Sequence, residues 1–381
     1  MKLSTRWLAA LGTSAVLAVG TTPVATATSN DTPATSAAEI RAAITQSYSS
    51  ADRVGIERPV AGSAVDRALN PDDYQCGPTD FSGYIDDLIG GLSLDELIFL
   101  VDHIEMLDIP TYDALFFGTN TDYRYDLRAD SKQSLTRTFT DVKRFWDIDS
   151  SDIQLMAMHG NMLQDASRVA RVLQLPLPEF GKSKAAAEAE AAEIAKMASK
   201  GFFDGGNNPL FTLNAFAFTA EGDPDPAVAG LPDKLIFGDG ILDALQALGI
   251  ADVGARAVMG HEFGHHVQFE DSLFNSPLTG AEATRRTELM ADAFGTYFVT
   301  HARGLALNAK RVLQAELTSF EVGDCQFADP GHHGTPLQRL RSATWAANLA
   351  AAARPQGFIL PSLRFADLFE QKLPEIVAPD A

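Results

Sequence analysis

Residues 261–268 read HEFGHHVQ, and this stretch decides how the rest of the chain is interpreted. His261 and His265 are four residues apart, so on a helix both imidazoles project from one face. That spacing lets two histidines bind one tetrahedral zinc ion with bonds of about 2.0–2.1 Å. Glu262 lies between them, where its carboxylate can reach a metal-bound water and act as a general base. The sequence therefore predicts a helix over 252–270 that carries a single zinc ion.

A second predicted helix, over 280–304, carries two acids that complete this arrangement. A catalytic zinc site has three protein ligands and one open position, and Glu288 is the predicted third ligand. Asp292 follows one turn later, where it is predicted to accept the remaining ring N–H of a ligand histidine and to fix its orientation. The surrounding stretch is otherwise apolar through Tyr297, which favours a buried site over a solvated helix face. The alternative for the whole pattern is an accidental histidine pair, with acids that face solvent.

These motifs resemble those of a known family of metallopeptidases. HExxH followed by Glu-x-x-Ala-Asp is similar to the gluzincins, and HEFGHHVQ resembles the group described as neutral zinc metallopeptidases. The resemblance covers about residues 210–341 and implies a zincin-like domain that hydrolyses peptide bonds. A metzincin would need a third histidine at position 271, which is Asp271 here, so that arrangement is excluded.

The resemblance also implies roles for residues outside the metal motif. Asn214 and Ala215, in the run NAFA, match the edge strand to which gluzincins bind the substrate backbone, a case of β-augmentation. His333 and Arg339, in the run GHHGTPLQR, match the element that follows the third ligand. His333 or Arg339 is accordingly the candidate donor that stabilises the developing oxyanion, with His333 assigned as a catalytic residue and Arg339 as a substrate-binding residue. The alternatives are a loop histidine and a structural arginine.

The hydrophobic pattern predicts an α+β fold that is mostly helical. Runs at 210–218 and 234–238 predict two strands of a small antiparallel sheet, with helices before and after them. Ser93 and Glu96 have capping-box spacing at the start of one predicted helix. The predicted helical segments are 93–107, 131–146, 151–175 and 184–197 before the strands, and 252–270, 280–304, 306–319, 336–352 and 361–373 after them.

The chain divides into four predicted regions. Residues 1–27 have a positive start, a short apolar run and an Ala-Thr-Ala sequence that ends at Ala27. This pattern predicts a Sec-type signal peptide, and therefore a secreted protein without stable membrane insertion after cleavage. An uncleaved signal that serves as an anchor is the alternative. Residues 28–70 form a low-complexity linker, residues 71–200 a helical N-terminal region, and residues 201–381 a zincin-like metallopeptidase domain.

The sequence has two cysteines, Cys76 and Cys325. In an exported protein, two widely separated cysteines favour a disulfide bond between them. Two free, buried cysteines are the alternative. Neither residue lies in a CxxC pair, so cysteine ligation of a metal is not expected.

The net charge of the chain argues against some classes of binding partner. With 30 basic and 50 acidic residues, the formal charge is −20. Such a surface repels phosphate backbones and anionic membranes, so no nucleic-acid partner is expected. The predicted partner is a peptide or protein substrate, and the oligomeric state stays open.

Three other histidines are assigned away from the metal. His159 lies on an apolar pattern and is interpreted as a core histidine with satisfied hydrogen bonds. His266 points elsewhere on its helix and is expected to be structural. His301 is expected to lie off the site.

The predicted function is that of a secreted zinc-dependent endopeptidase with Glu262 as general base. One alternative is an exported zincin-like protein that binds a wall component or a partner, with a structural or vestigial metal site. Another is a hydrolase of a non-peptide amide. Glu262 favours an enzyme, because a purely structural site has no use for a general base.

Overall fold

The computed structural model describes residues 76–324 and 331–380. Within these ranges the chain is mostly helical, with a small three-stranded sheet. The helices are α1 Asp80–Gly90, α2 Leu94–Asp102, α3 Ile109–Phe117, α4 Ala129–Phe145, α5 Ala166–Leu173, α6 Lys184–Ala198, α7 Asp239–Ala247, α8 Ala251–Glu270, α9 Ala281–Thr300, α10 Ala309–Glu321, α11 Pro336–Ala351 and α12 Ser362–Ile376. The strands are β1 Gln154–Met158, β2 Ala215–Phe218 and β3 Lys234–Gly238.

The sheet is mixed and has the strand order β1-β3-β2. β3 pairs in parallel with β1, with Gln154 opposite Lys234, and antiparallel with β2, with Ala215 opposite Phe237. The two predicted strands, β2 and β3, pair antiparallel as predicted, but the sheet is mixed because β1, which was not predicted, pairs in parallel with β3. Parallel strands need a long crossover connection, so the missing strand lies far from β3 in the sequence. The sheet joins β1, from the predicted region 71–200, to strands that follow residue 200.

The predicted helix over 151–175 is wrong. The segment instead forms β1, a 3-10 turn over Gly160–Gln164 and the short helix α5. Met156, Ala157 and Met158 are all buried, so β1 lacks the alternation that marks a half-buried strand. Periodicity cannot separate such a short apolar run from a buried helix.

The predicted strand over 210–218 begins only at Ala215. Its first part is a 3-10 turn over Pro209–Thr212, in which the Asn208 side chain accepts a hydrogen bond from the backbone N–H of Leu210. Proline at the first position and asparagine before it both favour a turn over a strand.

The other predicted helices are confirmed to within a few residues, although 93–107 is divided. In that segment α2 ends at Asp102, and a 3-10 turn over Ile104–Leu107 follows. Ser93 and Glu96 form the predicted capping box at the start of α2.

The sheet separates two hydrophobic cores. Phe216, Phe218 and Ile236 pack into a core built from α1–α3, α5 and α6. Leu235 and Phe237 point to the opposite face, into a core built from α4 and α7–α12. This alternation follows from the period of two along a strand. The motif helices α8 and α9 belong to the second core, so the metal motif is attached to one face of the sheet.

Among the described residues, no helix has the length and apolar character needed to cross a membrane. The predicted signal peptide over 1–27 and the linker over 28–70 lie outside the described residues.

Candidate metal centre

Helices α8 and α9 cross in direct backbone contact. A Cβ atom at Gly264 would lie 3.0 Å from the carbonyl oxygen of Ala291, and one at Gly295 would lie 2.6 Å from the backbone nitrogen of His261. The second distance is too short for any side chain, so glycine is required at this crossing. The close approach brings the histidines of α8 within reach of the acids of α9.

His261, His265 and Glu288 form a triangle of ligand atoms. The Nε2 atoms of the two histidines are 3.2 Å apart. The Glu288 oxygens lie 3.3 Å from His261 Nε2 and 3.4 Å from His265 Nε2. In a tetrahedral site with bonds of about 2.0–2.1 Å, ligand atoms are separated by about 3.3 Å. The three residues therefore form a group that can hold a metal ion.

Asp292 and Arg339 support His261 from behind this triangle. The Nδ1 atom of His261 is 2.9 Å from Asp292 Oδ1, so the Nδ1–H donates to the carboxylate and Nε2 faces the triangle. Arg339 donates two hydrogen bonds of 2.8 Å to the same carboxylate. Its Nη1 atom lies 3.8 Å from Glu288 Oε2, and the side chain is buried. Arg339 thus contacts the acids of the group, whereas the sequence predicted contact with substrate.

Gln268 orients the second histidine. Its Oε1 atom is 2.8 Å from His265 Nδ1, and its Nε2 donates to the carbonyl oxygen of Thr287 on α9 at 2.8 Å. A hydrogen bond to the far ring nitrogen fixes the tautomer in which Nε2 is available as a ligand. Gln268 was not predicted, although its position three residues after His265 places it on the same helix face.

The three candidate ligands differ in how readily they take up a proton. Burial lowers the pKa of His265 to about 4, which keeps this imidazole neutral. Burial also opposes the charged form of His261, but hydrogen bonds to Asp292 and Glu288 outweigh it and raise its pKa to about 10. For Glu288, burial is likewise outweighed by nearby histidines, which hold the pKa well below its usual range. A metal that binds here would release the proton of His261.

Glu262 lies beside the triangle and touches the edge of the sheet. Its Oε2 atom accepts a hydrogen bond from the backbone N–H of Ala217 in β2, with a distance of 3.0 Å. Burial raises the pKa of Glu262 to about 8, although the charge of His261 opposes this. A raised pKa is typical of a carboxyl group that exchanges protons near neutral pH. The carboxylate is therefore suited to proton transfer.

The loop that carries His333 is organised by Asp324. Asp324 Oδ2 accepts from the backbone N–H of His333 at 2.8 Å and lies 3.4 Å from its Nδ1. Asp324 Oδ1 is 2.6 Å from Nδ1 of the buried His332. Burial opposes the charge of Asp324, but the two histidines hold its pKa far below the usual range. The His333 side chain is 26% exposed, so it is accessible.

Asp324 was not predicted, because no spacing rule connects it to the motif. Cys76 is disulfide-bonded, and its Sγ atom lies 3.5 Å from the carbonyl oxygen of Asp324. Cys325, its partner in the predicted disulfide, lies outside the described residues.

The two predicted substrate-binding residues of the edge strand face different ways. The carbonyl oxygen of Asn214 accepts from the backbone N–H of Gly238 at 2.9 Å, so its backbone is turned toward β3. Backbone groups alternate along a strand, and those of Ala215 therefore point away from β3, toward the free edge.

The other histidines are placed away from the metal group. His159 bonds to Asp239 Oδ2 at 2.7 Å and to the carbonyl oxygen of Asp126 at 2.9 Å, so both ring nitrogens are satisfied. His266 is buried, with its Nε2 3.1 Å from the carbonyl oxygen of Lys234. His301 Nε2 bonds to the carbonyl oxygen of Phe358 at 3.1 Å. All three serve as structural connections.

A second group of potential ligands, His103, Glu105 and Glu190, lies in the N-terminal helices. Lys182 Nζ is 2.5 Å from both Glu190 oxygens and 3.4 Å from Glu105 Oε1. The ammonium group thus already supplies the positive charge that these carboxylates need. At the triangle of His261, His265 and Glu288, Arg339 approaches one Glu288 oxygen to 3.8 Å, but its hydrogen bonds go to Asp292.

The chain matches no protein-family model, no curated protein and no solved structure. The likeness to gluzincins therefore rests on the motif residues named above.

Replacing Asp292 with Asn should weaken both metal binding and the fold. Loss of an outer hydrogen-bond partner of a ligand lowers metal affinity by about 10–100-fold. Because Arg339 would remain buried with Glu288, at 3.8 Å, in place of the closer Asp292 carboxylate, we also expect a loss of up to about 3–5 kcal/mol in the free energy of unfolding. Zinc competition titration and denaturant unfolding of the metal-free protein measure the two effects. Asp367→Asn, on the exposed face of α12, is the control, and equal behaviour of the two variants would contradict the assigned role.

Proposed function

We propose that this protein is a secreted zinc-dependent endopeptidase with a zincin-like catalytic domain. The observation that carries the proposal is the triangle of His261, His265 and Glu288, with sides of 3.2–3.4 Å, and the Glu262 carboxylate beside it. Two neutral nitrogen ligands, one carboxylate and an open position are the donor set that zinc hydrolases use.

When bound by the three ligands, zinc would supply a Lewis acid that polarises a carbonyl group and makes a water molecule easier to deprotonate. Glu262 takes the proton of the attacking water and delivers it to the leaving amine. Asp292 and Gln268 keep the two imidazoles aimed at the ion, and Arg339 balances the negative charge of Asp292.

Two further groups act on the substrate in this proposal. His333 is partly exposed, and its Nδ1 lies 3.4 Å from Asp324 Oδ2. Its imidazole can donate a hydrogen bond to the developing oxyanion, and such a bond is often worth about 3 kcal/mol. The outward backbone groups of Ala215 can pair with an extended peptide, as in β-augmentation. An extended peptide along β2 would pass the Glu262 carboxylate, which supports peptides over other amides as substrates.

The competing function is an exported binding protein whose metal is structural. Glu262 argues against it: a buried carboxylate beside the ligands, bonded only through one oxygen in the described structure, destabilises a site that needs no base.

The proposal is tested by cleavage of a peptide library and of a disordered protein such as casein. Zinc-loaded protein should cleave both, a chelator should abolish cleavage, and added zinc should restore it. Folded, zinc-loaded protein that cleaves no peptide would contradict the proposal and favour the binding protein. Cleavage that continues in chelator would point to a contaminating protease and would also count against it.

A further inference from the structure

We infer that the backbone N–H of Ala217 is a positioning group for the general base: it fixes one oxygen of Glu262 so that the other faces the reacting water. This inference rests on the proposed function and assigns different roles to two residues of the edge strand. Ala217 holds the enzyme's own carboxylate, and Ala215, two residues earlier, is left for the substrate backbone.

The register of the sheet shows why this N–H is available. Within residues 76–324 and 331–380, β2 is an edge strand and pairs only with β3. Asn214 is hydrogen-bonded to β3 through Gly238, so by alternation Phe216 also faces β3, whereas Ala215 and Ala217 face away. An outward N–H on an edge strand has no partner within the sheet. Ala217 is buried, and an unpaired N–H there would be unfavourable.

Glu262 Oε2 accepts the hydrogen bond of this N–H, at a distance of 3.0 Å. The hydrogen bond gives this buried N–H an acceptor. It restricts rotation of the carboxylate, which is otherwise free to turn about its last side-chain bond. With Oε2 held by the strand, Oε1 is the oxygen left for proton transfer. The strand and helix α8 thus fix the base from two sides.

A pair of proline substitutions separates the two roles. Proline is tolerated on an edge strand where its missing N–H faces away from the sheet, and its restriction of the preceding residue is compatible with a strand. Ala217→Pro should lower kcat by about 10–100-fold and change KM by less than about twofold, as expected for a displaced catalytic group. Ala215→Pro should instead raise KM and leave kcat nearly unchanged, because it removes a binding contact.

Zinc content and circular dichroism establish that each variant is folded and loaded. A kcat for Ala217→Pro within about twofold of the wild type would overturn the inference. A rise in KM for Ala217→Pro that matches the rise for Ala215→Pro would overturn it as well.

Hydrogen exchange tests the same bond without any activity. In protein labelled with 15N-alanine, the Ala217 amide should exchange at least about tenfold faster in Glu262→Ala than in the wild type, because its hydrogen bond is lost. The Ala215 amide, which does not bond to Glu262, should keep its rate and serves as the internal control. An unchanged Ala217 rate would overturn the inference. If the wild type cleaves no peptide, the proposed function fails, and this exchange measurement alone decides whether Ala217 holds Glu262.

Discussion

Glu262→Gln should abolish peptide hydrolysis and leave zinc binding intact. The amide has the same shape and can still accept the hydrogen bond of Ala217, but it cannot take a proton from water. Loss of a general base lowers the rate by roughly 10²–10⁴-fold, and we expect the effect in kcat, since the residue does not bind the ground state. The measurement is a steady-state assay with a peptide cleaved by the wild type, on protein of equal zinc content.

Glu270→Gln is the matched control for this variant. Glu270 lies on the same helix, α8, but is exposed, so the substitution removes one charge without touching the metal group. We expect a rate within about twofold of the wild type for this surface change. Hydrolysis by Glu262→Gln at the rate of Glu270→Gln would contradict the role of Glu262 and, with it, the proposed mechanism.

Glu288→Gln should have the largest effect on metal affinity. It replaces an anionic ligand with a neutral amide, which zinc binds poorly. We expect the affinity for zinc to fall by more than the roughly 10–100-fold that is typical of losing an outer partner such as Asp292. In the metal-free protein we expect the fold to persist with a lower free energy of unfolding, because Gln keeps the volume of the side chain but removes the charge that faces His261.

This prediction is tested most directly by the order of the zinc dissociation constants of the two variants. Competition titration with a chromophoric chelator should rank the dissociation constants as wild type below Asp292→Asn, and Asp292→Asn below Glu288→Gln. If Glu288→Gln binds zinc as tightly as the wild type, then Glu288 is not a ligand, and another residue must complete the site.

The metal group was predictable because its signals are local or periodic. His261 and His265 are separated by one helical turn, and Glu288 and Asp292 by one turn of the next helix, so each pair has a defined face before any tertiary contact is known. The crossing of the helices at Gly264 and Gly295 then sets the distance between the two pairs. For the same reason, the predicted boundaries of these helices lie within a few residues of the observed ones.

What could not be predicted depends on contacts between distant segments. β1 lies far from its partner β3 in sequence and has no alternation, so only the parallel pairing reveals it as a strand. Asp324 is recognised only through its contacts with His332 and His333. The contact of Ala217 with Glu262 is a backbone contact, and side-chain identity says nothing about it.

The most direct test of the account is a zinc titration of the metal-free protein, with bound metal and peptide cleavage followed in the same samples. We predict that binding saturates at about one zinc ion per chain, as for a single catalytic site, and that cleavage rises in proportion and reaches its plateau at the same point. Well-folded protein that binds no zinc would contradict the metal site, and protein that binds zinc without gaining any cleavage would contradict the proposed peptidase.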